Sequence, residues 1–435
     1  MLPSNHPYNP EEVLPPTPLP LPEEVADVIP PSEVLPPPIP NSALDVTLPR
    51  IVLGCAPFGY GVYADRDAVR TTMPARIVRA ALRAGMTAFD TAPHYHPSEI
   101  ILGHSLAALR DEYPRESYAI ITKAGKYGPH VADHDYSPKV IKASVERSLR
   151  RLQTLYLDVV YLHDVEFVAD APPAQGTHLD ALGDGAAEYH LTSLEPLGAG
   201  DQVVLAALDA LRDLQSEGKI RAIGIAGYPL PTMLRLCRLA QAAGHPVDVV
   251  QSYAHQTVLC STLASFLPAF EAAGVKQVVN AAPLAMGILT AHGGPEWHPA
   301  KYVPAVYDAT RAAVRLAKEM GSTIEDVACA FGYRPLNMAN GAVVPVVIGC
   351  TDLKQLHMTL KSYAEVNGGQ VSEATLEAED AVVKLFEERG GCIIGSSSAC
   401  NSARVPLIVV QIHLMPVSMG VNWPTSCLYA PYAGY

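Results

Sequence analysis

Eight short apolar runs rich in valine and isoleucine, "RIVLGC", "MTAFD", "YAIITK", "LDVVYLH", "RAIGIA", "VDVVQS", "KQVVNA" and "AVVPVVIG", recur between residues 50 and 349, with amphipathic stretches of several helical turns between them. Runs that are apolar nearly throughout belong to strands buried on both faces, and such strands come from parallel sheets covered by crossover helices. The number of runs then decides the architecture. Eight strand-helix units are what a closed (β/α)8 TIM barrel of the α/β class requires.

Helices are expected in the intervals. "MPARIVRAALRAG" ends at a glycine, and "SPKVIKASVERSLRRL" begins with Ser137 as N-cap and Pro138 in the first turn. The same pattern marks "VVLAALDALRDLQSEG", "LPTMLRLCRLAQAAG", "LASFLPAFEAAG" and "PAVYDATRAAVRLAKEMG". The barrel is expected over 49–390.

Both flanks differ in composition. Residues 1–48 include "EEVLPPTPLPLPEEVADVIPPSEVLPPPIP", where proline removes backbone donors and favours polyproline II, so a disordered, proline-rich N-terminal arm is expected. A ligand for proline-binding modules is the alternative use of such a segment. Residues 391–435 form an atypical C-terminal tail without a charged residue after Arg404, its apolar stretch broken by Gln411, His413, Pro416 and Ser418. Uninterrupted, it is shorter than the roughly 20 apolar residues of a membrane helix, so an irregular extension is expected.

Charge and cysteine usage narrow the classes of function. The 31 basic and 44 acidic residues leave a net charge of -13, with no basic cluster, so neither nucleic acid nor an anionic membrane is expected as a partner. The eight cysteines show no CxxC pair or metal-ligand spacing, which suggests reduced thiols and no metal site. The first basic residue is Arg50, so no secretory or mitochondrial address is read, and a cytoplasmic location is expected.

In such barrels the chemistry is built where the strands end. Asp90 closes the second run, Lys123 the third and His163 the fourth, while Tyr95 follows Asp90 within "FDTAPHY". Each alone has a plain structural explanation: a helix cap, a snorkelling lysine, a core imidazole, loop packing. On successive strands at one depth they converge on one small volume. A phenol has a reference pKa near ~10, and a neighbouring ammonium brings its proton within reach at neutral pH. Lys123 would supply that charge, Asp90 would be its counter-ion, and His163 would orient a substrate oxygen. Proton transfer at a carbonyl or alcohol oxygen needs a partner for the two electrons. With no flavin or metal signature, a nicotinamide is the natural carrier, although no GxGxxG follows a strand.

Asp90, Tyr95, Lys123 and His163, in "FDTAPHY", "IITKAG" and "VVYLHD", resemble the constellation of the aldo-keto reductases over residues 50–360. Within that family, "DYSPKVIKASVERSLRRLQTLYLDVVYLHDVEFV" and "VVQSYAHQT" look like the fungal D-arabinose 1-dehydrogenases and plant L-galactose dehydrogenases. The resemblance implies an extended nicotinamide dinucleotide bound without a Rossmann module. It implies that Gln251, helped by Ser252, holds the nicotinamide carboxamide, and that Pro283, Leu284 and Gly287 in "NAAPLAMGIL" lie beside the pyrophosphate. It assigns Gly349, Cys350, Thr351 and Gln355 in "VVIGCTDLKQL" to the adenosine side.

The chain departs from the family pattern at several of these positions. Thr351, next to Asp352, stands where members that prefer NADP offer a cation to the 2'-phosphate, so NAD is the expected cofactor, with NADP through Lys354 as the alternative. The family's adenine-contacting acid and amide map onto Met358 and Thr359, and its strand-five serine onto Ala226.

Three functions follow from this reading. The leading one is an NAD(P)-dependent sugar 1-dehydrogenase that takes a small aldose such as D-arabinose to its aldonolactone. The others are an NADPH-dependent aldehyde or ketone reductase and a non-catalytic, nicotinamide-binding regulatory barrel.

Overall fold

The computed structural model describes residues 12–60, 63, 67–174 and 176–389. Eight strands, β1 Ile51–Gly54, β2 Ala88–Asp90, β3 Ala119–Ala124, β4 Leu157–His163, β5 Ile220–Gly227, β6 Val249–Tyr253, β7 Gln277–Ala281 and β8 Val346–Gly349, close into a barrel in sequence order. Every pairing is parallel, and β8 returns to β1 with Gly54 opposite Gly349. All eight apolar runs are therefore strands.

The two-residue period of a strand divides each run between two cores. Val52, Ile121, Val159, Tyr161, Val249, Val279 and Val347 fill the barrel interior. Leu53, Phe89, Ile120, Val160, Val250 and Val278 face the helix layer. Burying each such side chain contributes about 1.5–3 kcal/mol. Gly224 belongs to the interior set for a steric reason. A Cβ there would lie 2.5 Å from Cδ1 of Tyr161, whose ring fills the middle of the barrel.

The outer layer comprises α1 Met73–Arg83, α2 Ser98–Ala108, α3 Pro138–Arg151, α4 Ala199–Ser216, α5 Leu230–Ala242, α6 Leu263–Ala272, α7 Pro304–Glu319, α8 Ile324–Gly332, α9 Leu353–Asn367 and α10 Glu373–Glu388. Gly85, with φ +84°, ends α1 as its position in the sequence suggests. The cap expected at Ser137 is corrected: its side chain takes no capping hydrogen bond. Its amide instead donates to Asp135 Oδ1 at 2.9 Å, so the turn before α3 is closed by Asp135. Thr323, Asp352 and Ser372 do cap α8, α9 and α10.

Residues 12–48 belong to the segment expected as a disordered arm, and they lie along the barrel. Asp27 is fully buried between Arg76 and Arg79 of α1, at 2.6 and 2.9 Å. Glu24 pairs with Arg76, and Glu23 with Arg83. Farther along, Glu33 meets His357 of α9, and Asn41 donates to the Lys276 carbonyl at 3.0 Å. Proline keeps the segment extended, while its carboxylates find the arginines of one helix face. Leu44, Val46 and Leu48 then join the interior cluster just before β1, closing the barrel at the end where the strands start. The expected C-terminal tail, 391–435, lies outside the described residues.

Candidate active site

Asp90 shares the inward parity of Ala88, Lys123 that of Ile121, His163 that of Tyr161, and Gln251 that of Val249. These four side chains therefore project into the open end of the barrel, and each is buried to at least 96%. Lys123 Nζ donates to Asp90 Oδ1 at 2.5 Å and to the Thr91 carbonyl at 3.1 Å. Gln251 Nε2 donates to the other Asp90 oxygen at 2.8 Å. Asp90 is thus held from two strands, and it fixes the ammonium in turn. Two of the three lysine N–H donors are taken, leaving one for an acceptor beside Tyr95.

Tyr95 ends a tight turn, Pro93–Tyr95, on the loop between β2 and α2. Its ring lies 5.1 Å from Lys123 Nζ and 5.6 Å, edge to face, from the His163 ring. Beneath the loop, Ser98 donates to the Cys55 carbonyl at 2.7 Å, so the 2.8 Å contact between Thr91 and Ser98 has Thr91 as donor. That chain ties both ends of the loop to β1. The sequence places Asp90, Tyr95, Lys123 and His163 in one volume, and the structure brings all four together.

The end of β4 is secured by a glycine. A Cβ at Gly125, φ +100°, would come 2.2 Å from the Tyr136 ring, so only glycine lets that ring pack there. Tyr136 then donates its hydroxyl to the His163 carbonyl at 2.7 Å. Burial lowers the His163 imidazole well below its ordinary value, so the ring is neutral at physiological pH. Its Nδ1 is buried without a hydrogen-bond partner.

Two charged residues escaped the sequence reading although each adjoins a motif that it used. Asp164, the residue after His163, adopts φ +56° and places Oδ1 3.7 Å from His163 Nε2. Lys126, three positions after Lys123, donates to Asp164 Oδ2 at 2.6 Å. Aspartate is among the side chains that most readily accept left-handed backbone, and the turn brings its carboxylate to both His163 and Lys126. Behind them Glu166 is buried, with Oε1 accepting from the Tyr228 amide at 3.1 Å and Oε2 unpaired. Burial and the charge of Asp164 push its carboxyl up to about 8.

The residues that resemblance assigned to a dinucleotide fall in three groups. Gln251 lies at the mouth beside Asp90, its Nε2 engaged and its Oε1 left to accept from a carboxamide. Ser252 has the opposite parity: fully buried toward the helix layer, it contacts His255 Nδ1 at 3.1 Å. At the end of β7, Ala282, Ala285, Met286 and Gly287 all have positive φ, and the backbone around Pro283 and Leu284 closes a tight turn in which the Ala285 and Gly287 amides donate to the Ala282 and Leu284 carbonyls, each at 2.9 Å. Past β8, Gly349 is exposed, and a Cβ there would meet Pro57 Cγ at 2.7 Å. Cys350 is fully buried, its sulfur 3.8 Å from Thr359 Oγ1. The Thr351 amide donates to Gln355 Oε1 at 2.9 Å at the start of α9. Gln251, the 283–287 turn and the start of α9 thus lie at or just past the ends of the neighbouring strands β6, β7 and β8 in turn. Among the described residues there is no group of three or more side chains that could hold a metal ion.

The family model described as "Aldo/keto reductase family" matches residues 50–373. An L-galactose dehydrogenase from Arabidopsis thaliana is 33% identical over 348 residues, covering 79% of this chain and 92% of the relative. A D-arabinose 1-dehydrogenase from Saccharomyces cerevisiae is 30% identical over 319 residues, with 72% and 84% covered. Among solved structures, a glycerol dehydrogenase from Gluconobacter oxydans aligns with a TM-score of 0.51 at 21% identity, covering 83% of this chain and 98% of that one, and so shares the fold.

Proposed function

We propose, from the fact that this chain belongs to the aldo/keto reductase family and is an NAD(P)-dependent oxidoreductase, that it oxidises the anomeric hydroxyl of an aldose such as D-arabinose to the aldonolactone. Names of the two similar sugar dehydrogenases support the substrate class. The observation that carries the reading is the polar rim beside His163. Asp164 and Lys126, one acceptor-only and one donor-only side chain 2.6 Å apart, match the hydroxyls of a polyol rather than an apolar aldehyde.

Oxidising an alcohol removes one proton and one hydride. The nicotinamide, when bound, accepts the hydride. Tyr95 takes the hydroxyl proton, because the Lys123 charge stabilises the oxygen that has given its own proton up. Asp90 holds Lys123 in position, and Gln251 is shared between Asp90 and the carboxamide it would orient. Neutral His163 donates a hydrogen bond to the substrate oxygen from Nε2. Thr351 and Asp352 give a 2'-phosphate no cation, so NAD is the preferred carrier. A screen of aldoses and small aldehydes with NAD and NADP, followed at 340 nm, tests this. Turnover of aldoses with NAD is the expected result, and turnover confined to apolar aldehydes with NADPH would overturn it.

A further inference from the structure

We propose that Glu12, on the proline-rich arm, is a positioning residue that clamps the loop carrying Tyr95 and so sets the rate of proton transfer; this rests on the proton-transfer role given to Tyr95 above. The family match begins at residue 50, so the arm reaches the active site from outside the matched region.

The clamp has two layers. In the first, the segment after β1 grips the backbone of the Tyr95 loop. The Tyr60 amide donates to the His96 carbonyl at 3.0 Å, and a Cβ at Gly59 would lie 2.7 Å from the Tyr95 carbonyl oxygen, so the two strands of chain touch there. In the second layer, the side chains of the same two residues meet one carboxylate. Glu12 Oε1 accepts from Tyr60 Oη at 3.1 Å and from Arg70 Nη2 at 2.5 Å, while Oε2 lies 3.0 Å from His96 Nε2. The Tyr60 and His96 rings pack edge to face, with centroids 5.9 Å apart, and Arg70 Nε donates to Tyr60 Oη at 3.0 Å.

His96 directly follows Tyr95. Its ring is neutral, since burial lowers its pKa to about 4, so Nε2–H is the donor to the carboxylate. Displacing a reacting group by about 1 Å can cost a factor of roughly 100 in rate. A carboxylate that joins the residue after Tyr95 to the segment pressed against Tyr95's own carbonyl therefore acts on the phenol's placement.

The test uses the full chain with Glu12→Ala and Glu12→Gln. Hydrogen exchange of peptides covering 91–98 is followed beside steady-state kinetics with the preferred aldose. Expected for Glu12→Ala are exchange in that peptide faster by about tenfold or more, kcat lower by about tenfold, and an unchanged KM for the nucleotide. Glu12→Gln, which keeps an oxygen for Arg70 and Tyr60, should retain more of kcat. Unchanged exchange at 91–98 overturns the clamp. Faster exchange with kcat within twofold of wild type overturns the positioning role, because the contact is then only structural. Where wild type turns over no sugar, the functional reading fails separately, and exchange alone decides the clamp. If Glu12→Ala does not fold, Tyr60→Phe removes one hydroxyl from the same clamp, and the same outcomes decide.

Discussion

The ammonium of Lys123 lies 5.1 Å from the centre of the Tyr95 ring while bonded to Asp90 Oδ1 at 2.5 Å. One cation therefore faces two partners from different segments of chain, a carboxylate that holds it and a phenol that it serves. Tyr95→Phe keeps the ring and its packing but removes the proton carrier. Turnover should fall by about 10²–10⁴-fold, with thermal stability close to wild type. Activity surviving that change would assign proton transfer elsewhere.

Asp90→Asn and Lys123→Met should differ in stability. The first leaves a buried ammonium without its counter-ion, a loss of about 3–5 kcal/mol. Lys123→Met also strips one partner from Asp90, but the carboxylate keeps its bond from Gln251, so the loss should be smaller. Both variants should be almost inactive. Urea unfolding at pH 7 ranks them, and equal losses would mean that Gln251 does not share the carboxylate.

Glu166 gives a pH dependence of definite sign. Its folded pKa, about 8, lies above the ordinary carboxylate value of 4.5, so the folded chain holds a proton there that the unfolded chain releases. Stability is lost as pH rises from about 4.5 to about 8. Glu166→Gln should therefore stabilise the protein by about 1–3 kcal/mol at pH 9 and by little at pH 4.5, as read by thermal melts. An effect independent of pH would refute this account.

Asp27 works in the opposite sense. Burial raises its pKa, but hydrogen bonds from Arg76, the Glu24 amide and Arg79 outweigh that and bring it to about 2, below the ordinary 3.8. Its stabilisation is present above pH 3.8 and is lost as pH falls toward 2. Asp27→Asn should lower the melting temperature at pH 7, and the gap from wild type should narrow between pH 4 and 3. A constant gap would mean that its charge does not hold the arm.

Cofactor choice can be tested at one position. Thr351→Arg introduces a cation beside Asp352, where a 2'-phosphate would otherwise meet a carboxylate. The ratio of kcat/KM for NADP over NAD should rise by about tenfold or more. If the ratio stays fixed, the adenosine end lies away from Thr351.

The strands were legible because each run is apolar, short and bounded; Asp90, Lys123 and His163 were legible because they close those runs with one parity, and Tyr95 because it follows Asp90 in the loop after β2. The same parity, applied to β6, separates Gln251 from Ser252, which alternation alone turns outward toward His255. The helix α2 was harder to read. "SEIILGHSLAA" buries residues nearly all round and lacks the one-sided apolar stripe that the other helices show. In α9, "LKQLHMTLKSYAEVN" was read for its nucleotide motif rather than as a helix. The course of residues 12–48 could not be read at all, since the arginines of α1 look like a solvated face until the acidic arm is known to cover them.

With Leu44, Val46 and Leu48 stoppering one end and the Tyr161 ring filling the middle, the barrel is a blind-ended vessel. A molecule that reaches Asp90, Lys123 and His163 therefore comes from the side where the strands end, and the packed half of the barrel serves only as a floor beneath it.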